Sequence, residues 1–267
     1  MLRRTCVAGQ FYPGVKAELE KDLRGFLSPG GAAENCVALI SPHAGYIYSG
    51  RVAGAVYSSV RIPGNIVLIG PNHTGAGKRA SLMASGQWET PLGRLCINEE
   101  LAGLILGSSP IFSDDMAAHL REHSLEVQLP FIYTINREAS FVPITLMHAG
   151  FKECLEMGLA IAKAIKAYRK ETIIAVSSDM NHYEDEKKTR AKDKLAIDMA
   201  LKLDAKGLLD VTEEKDITMC GVVPTAAAIA AAKELGATTA RLIKYSTSGE
   251  TSGDLSHVVG YAGIIIQ

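Results

Sequence analysis

The chain has 267 residues, 47% of them hydrophobic and 21% charged, with a formal net charge of -1. That balance gives no electrostatic reason to expect nucleic acid or an anionic membrane as a partner. Five cysteines, Cys6, Cys36, Cys96, Cys154 and Cys220, form no CxxC pair. Their odd number in a chain of this size points away from a disulfide framework and toward a reducing, cytoplasmic setting. No run of about 18 apolar residues reads as a transmembrane span. The opening MLRRTCVAGQFYPG is basic but runs into no apolar segment, so it does not read as a signal peptide.

In chain order, Val15, Leu19, Leu23 and Phe26 fall at helical spacing between Gly14 and Leu27, and Ser28-Pro29-Gly30-Gly31 ends that helix. Val37–Ser41 reads as a short buried strand, stopped by Pro42-His43-Ala44-Gly45. Residues 50–60 read as a helix with Ala53, Val56 and Val60 on one side, Gly54 and Ala55 suiting close packing on a sheet. Asn65–Gly70 is a second apolar strand, followed at once by Pro71-Asn72-His73. Residues 80–97, with the single Trp88 and the breakers Pro91 and Gly93, read as a hairpin-like extension. Asn98 is placed to cap a helix over 99–106. Residues 122–135 have helical spacing, with Pro130 as a break or kink.

Phe141–Leu146 is a strand, and 151–168 a helix with Leu155, Leu159, Ala162 and Ile165 on one stripe. Thr172–Ser178 is a buried strand running into Asp179-Met180-Asn181-His182. A charged helix over 187–203, an alanine-rich helix over 222–235, and strands over 241–246 and 258–266 complete the chain. Alternating apolar strands and helices without repeats predict a single α/β domain, 1–267, with a central, largely parallel or mixed sheet covered by helices on both faces.

Three strands run into a histidine, and in open α/β sheets ligands collect at the carboxyl ends of strands. His43 and His73, in matching strand-Pro-x-His contexts, are candidate metal ligands. Cys220, just before a helix and beside Gly221, is the candidate third, because free N–H groups at a helix start favour a thiolate. Two imidazoles and a thiolate suit a borderline or soft divalent metal, with positions left open for water or substrate. His182 is the candidate general base and Asp179 its orienting carboxylate. Each has an ordinary alternative: a hydrogen-bonded turn histidine, a buried structural thiol, a helix-capping aspartate. Glu122, His123 and Glu126 carry an H-x-x-E pattern that reads as a fold-supporting polar contact. His119 reads as solvated, and His148 and His257 as ordinary. No P-loop and no G-x-S-x-G elbow is present.

VAGQFYPG at 7–14, SPHAGYIYSG at 41–50, IGPNHTG at 69–75, WETPLG at 88–93, EHSLEVQLPF at 122–131, SSDMNHY at 177–183, CGVVP at 220–224 and VVGYAG at 258–263 resemble, in order and nearly end to end, the Memo family. Its prokaryotic members carry the label AmmeMemoRadiSam system protein B. The family is similar in fold to class III extradiol, ring-cleaving non-haem iron dioxygenases. The resemblance implies one dioxygenase-like domain, with His43 and His73 as metal ligands and His182 as acid/base beside Asp179. It also implies Cys220 where the dioxygenases have a carboxylate, a departure that makes the site softer and ring cleavage doubtful. Fe(II) is the implied metal, with copper or zinc as alternatives. The expected function is that of a metal-binding redox protein acting on a small molecule. The alternatives are a copper-handling protein and a peptide- or phosphopeptide-binding module. The operon label implies a radical-SAM system partner.

Overall fold

The computed structural model describes residues 1–28 and 33–267. Among the described residues, twelve strands form one mixed sheet: β1 (Leu2–Arg3), β2 (Ala38–Ser41), β3 (Asn65–Pro71), β4 (Ala80–Leu82), β5 (Gln87–Thr90), β6 (Gly93–Ile97), β7 (Ser113–Asp114), β8 (Ser140–Leu146), β9 (Ile173–Ser177), β10 (His182–Glu184), β11 (Ala240–Thr247) and β12 (Val258–Ile266). The strands run in the order β1-β5-β6-β8-β3-β9-β2-β12-β10, with β11 beside β12 and the β4–β7 pair beside β8. The centre, β6-β8-β3-β9-β2, is parallel, and β12 closes antiparallel on β2. Among the described residues, no helix is long and apolar enough to cross a membrane.

The central strands are apolar on both faces because both are covered. Val67, Ile69, Ala38 and Ile40 point into one core, under helices Glu99–Leu106, Phe151–Tyr168 and Val222–Glu234. Ile66, Leu68 and Leu39 alternate into the other, under helices Lys16–Phe26, Tyr46–Ser59 and Leu129–Ile135.

Several expectations shift. The first helix ends at Phe26, close to the expected bound, while the breakers Pro29, Gly30 and Gly31 lie outside the described residues. The second helix starts at Tyr46, four residues earlier than its small-residue pattern implied, and Gly54 faces the first helix instead of the sheet. A Cβ at Gly54 would stand 2.4 Å from the Phe26 carbonyl oxygen. The 80–97 segment is part of the main sheet, with Trp88 fully buried. Pro130 breaks nothing: it sits in the first turn of helix Leu129–Ile135, where a missing N–H costs no bond. A helix at Ala205–Glu214 went unanticipated. In helix Phe151–Tyr168, Ala162 and Ile165 are buried as expected, but Leu155 and Leu159 face solvent, and Cys154, Met157, Gly158 and Ile161 take their place in the core.

Candidate metal centre

Strand β9 lies between β2 and β3, and the three end level, with Ser41 paired to Ser177 and Ile69 to Val176. His43, His73 and Asp179 each stand two residues past a strand end, so one rim of the sheet carries all three. His43, His73 and His123 offer ligand atoms within 4.8 Å of one another. Their ring centroids lie 4.6–5.5 Å apart. No ion is part of the structure, so the donors' own hydrogen bonds test whether a metal fits.

His43 is buried, and its Nδ1 lies 2.9 Å from Ser177 Oγ. Ser177 donates its single hydroxyl proton to the Ser124 carbonyl at 2.6 Å and accepts from Gln128 Nε2 at 2.9 Å. The remaining lone pair of Ser177 can only accept, so His43 carries its proton on Nδ1 and turns a bare Nε2 toward the other histidines. At His73, Nδ1 faces Glu122 Oε1 at 2.9 Å, and the backbone N–H of His73 donates to Glu122 Oε2 at 2.6 Å. Burial raises the Glu122 carboxyl, but the His73 ring and the N–H groups of Ser124 and His73 outweigh it and hold the group at about 2. An ionised carboxylate accepts, so His73 also presents Nε2. Glu122 Oε1 stands 3.5 Å from His123 Nδ1 as well. A carboxylate behind an imidazole is how metal-ligating histidines are usually oriented. Burial, then the neighbouring rings of His73 and His123, push the His43 imidazole well below its ordinary range. It therefore stands neutral, as a ligand must.

Cys220 comes from the turn before helix Val222–Glu234, with Gly221 as the cap. A Cβ at Gly221 would meet Ser178 Cβ at 2.4 Å, so glycine lets the turn sit on β9's end. Cys220 Sγ lies 3.2 Å from His43 Nε2 and accepts the Asp179 N–H at 3.2 Å. It thus touches one histidine of the cluster. Burial and then the Asp179 carboxylate push the thiol well above its ordinary value, outweighing the helix start expected to lower it. Asp179 Oδ1 accepts the His43 N–H at 2.7 Å, and Oδ2 stands 4.0 Å from His43 Nε2. Burial raises this carboxyl, against the pull of His182 and of the His43 backbone N–H.

His182 lines the same cavity, of about 870 Å³, together with the three histidines, Asp179 and Cys220. Its Nδ1 donates to the Thr218 carbonyl at 2.7 Å, leaving Nε2 as a proton acceptor. Asp179 makes no hydrogen bond to the His182 ring; Thr218 orients that ring, while Asp179 accepts the His43 N–H and donates its own N–H to Cys220 Sγ.

His123 is the member that spacing missed. It does not share a face with Glu126, which turns away to Arg3. The available signal was Glu122 and His123 side by side, a carboxylate next to an imidazole, ahead of a short 3-10 turn at Glu126–Gln128. His119 is fully buried, edge-on to Trp88 at 5.7 Å, and not solvated. His257 stands at the cavity mouth, exposed.

Sheet and site together define an α/β protein with a histidine cluster that could hold a metal ion on the carboxyl rim of its parallel strands. The profile of the Memo-like protein family matches residues 3–265. A MEMO1 family protein of Methanopyrus kandleri is 39% identical over 281 residues, covering 100% of this chain and 99% of its own. Others of Pyrobaculum aerophilum and Thermotoga neapolitana are 42% identical, covering 99% and 100% of this chain and 98% and 100% of theirs. The chain belongs to the Memo-like family.

Proposed function

We propose that this chain is a metal-dependent redox enzyme acting on a small organic molecule, with Fe(II) as its metal. His43 and His73 are the anchoring ligands, His123 completes the imidazole set, and Cys220 is a further donor on the His43 side. The observation that carries the reading is the tautomer of the first two rings. Ser177 and Glu122 each take an Nδ1–H, so both Nε2 lone pairs are left free for a metal, and among the described residues the partner that meets one of them is the Cys220 thiol, 3.2 Å from His43 Nε2. Bound Fe(II) would supply one-electron chemistry and open coordination positions. The protein's own part is to exclude water, hold the substrate in the cavity, and move a proton at His182 Nε2.

Protein purified without oxygen is expected to bind about one Fe(II) per chain, at three nitrogen donors that leave coordination positions open. His43→Ala combined with His73→Ala should abolish that binding, read by elemental analysis and anaerobic titration. Undiminished iron in the double variant would place the metal elsewhere.

The thiol at 3.2 Å from His43 Nε2 supports a second reading, a copper-handling protein, since a soft sulfur beside imidazoles suits Cu(I). Competition of Cu(I) and Fe(II) for the metal-free protein separates the two: strong preference for Cu(I), lost in Cys220→Ala, would favour this alternative.

A further inference from the structure

A cavity of about 510 Å³ is lined by helix Lys16–Phe26, the end of helix Leu129–Ile135 and the turn that joins β5 to β6. It shares no residue with the metal cavity. The turn belongs to the WETPLG segment, which the metal centre leaves unused. Leu92 of that turn and Ile135 give the cavity an apolar part, and Tyr133 lines it beside them. Gly93 makes room for the tyrosine. A Cβ at Gly93 would stand 2.3 Å from the Tyr133 hydroxyl oxygen and 2.6 Å from the ring carbon that bears it, so glycine lets the phenol lie against the turn. That hydroxyl, which can donate and accept, makes no hydrogen bond to the protein among the described residues.

The charges of the lining are uneven. Lys16 and Arg24 stand on one face of their helix, two turns apart, and Arg137 lines the same cavity from beyond the end of the other helix. Glu20, between Lys16 and Arg24, is the one carboxylate of the lining among the described residues. It stands 3.9 Å from Lys16 Nζ, and Arg137 Nε stands 3.6 Å from Glu138 Oε1. Both pairs are long and exposed, so they hold their cations weakly. Arg24 pairs with no carboxylate among the described residues. A cation past the C-terminus of helix Leu129–Ile135 is favoured by the helix itself, which accounts for Arg137. It does not account for Arg24 and Lys16, which belong to another helix, nor for the unpartnered phenol.

We infer that this cavity is a second ligand site, separate from the metal centre, and that it takes a small organic phosphate. Arg24 and Arg137 hold the phosphate oxygens, the Tyr133 hydroxyl donates a further hydrogen bond, and Leu92 and Ile135 receive the apolar part of the molecule. The planar fork of a guanidinium matches phosphate oxygens in geometry. Three cations against one carboxylate suit a doubly charged phosphate monoester better than a singly charged carboxylate. The inference is independent of the metal and of the redox reading.

The test is isothermal titration of the full-length protein with three probes: phenyl phosphate, inorganic phosphate and benzoate. Wild type should bind phenyl phosphate saturably, at least about fivefold more tightly than either of the others, because only that probe combines the charge with an apolar part. Arg24→Gln and Arg137→Gln should each weaken it about tenfold. Tyr133→Phe, which removes only the hydroxyl, should weaken it about two- to tenfold. Glu20→Gln should tighten it about two- to fivefold, because a like charge leaves the site; a merely structural role for Glu20 gives no gain. Protein stripped of metal by a chelator should bind phenyl phosphate as well as untreated protein. Loss of binding on stripping would put the phosphate on the metal and overturn the inference. Benzoate bound as tightly as phenyl phosphate, or affinity unchanged in both arginine variants, would overturn it as well.

Discussion

Glu122 receives the Nδ1–H of His73 at 2.9 Å and stands 3.5 Å from Nδ1 of His123, so one buried carboxylate faces two members of the histidine cluster. It also accepts the Ser124 N–H at 2.9 Å, which fixes the turn that carries His123. Glu122→Gln keeps the shape but removes the charge. Metal affinity should fall roughly 10–100-fold, the usual effect of losing such an orienting partner, while the fold persists. Titration of the metal-free variant against a chelator of known affinity measures it; affinity unchanged from wild type would mean that Glu122 serves the fold alone.

The N-terminal strand holds this turn from behind. Arg3 Nη1 pairs with Glu126 Oε2 at 2.6 Å, Nε donates to the His119 carbonyl at 2.8 Å, and Nη2 donates to the Glu122 carbonyl at 2.7 Å. The guanidinium lies over Trp88, 4.1 Å from the ring centroid. Glu126 further accepts from Tyr12 and from the N–H groups of Cys6 and Val7. Removing one partner of a buried pair strands the other charge. Arg3→Met should therefore cost about 3–5 kcal/mol in denaturant unfolding. The double variant Arg3→Met/Glu126→Gln should recover part of that loss.

Asp193 gives a pH dependence with a definite sign. It is buried behind β10, accepting from the Asn181 N–H at 2.8 Å and from Tyr245 Oη at 2.7 Å. Burial raises its carboxyl from 3.8 to about 6, against those hydrogen bonds. The folded state thus binds the extra proton, and stability from this group falls as pH rises between those values and is flat above. Asp193→Asn removes the titration. Relative to wild type, the variant should gain stability across that window, reaching about 2–3 kcal/mol by neutral pH if Asn keeps both hydrogen bonds. Unfolding curves of the two proteins at several pH values give the difference; a difference independent of pH would refute the assignment.

Much of the rim was legible because β2, β3 and β9 are unbroken apolar runs stopped by proline or by polar residues at a histidine or aspartate. What no single run contains is strand order. β9 sits between β2 and β3, which brings Asp179 and His182 to His43 and His73, and that order follows from helix packing across the whole sheet. The Leu155 and Leu159 stripe misled for a related reason. A Cβ at Gly158 would lie 2.5 Å from the Ala227 carbonyl oxygen and 2.6 Å from Ala230 Cβ. Close approach through small residues sets which face of helix Phe151–Tyr168 is buried, and large apolar residues at helical spacing do not report it. Arg3 was invisible as a structural residue, because a basic N-terminus reads the same whether solvated or buried against a distant glutamate.

Gly221 sets the position of the thiol. With no side chain, it lets the turn lie against Ser178 and the Ser177 carbonyl, where a Cβ would stand 2.4 Å and 2.8 Å from protein atoms. Backbone and a buried serine cannot yield cheaply, so Gly221→Ala must push the turn outward and carry Cys220 away from His43. If Cys220 is a metal donor, cobalt-loaded wild type should show the near-ultraviolet charge-transfer band of a thiolate on cobalt. Gly221→Ala should lose most of that band while the three histidines still retain the ion, at an affinity reduced about tenfold or more for the lost donor. Cys220→Ala should lose the band entirely. A band that survives in Cys220→Ala would remove the sulfur from the coordination set and leave the three imidazoles as the whole of it.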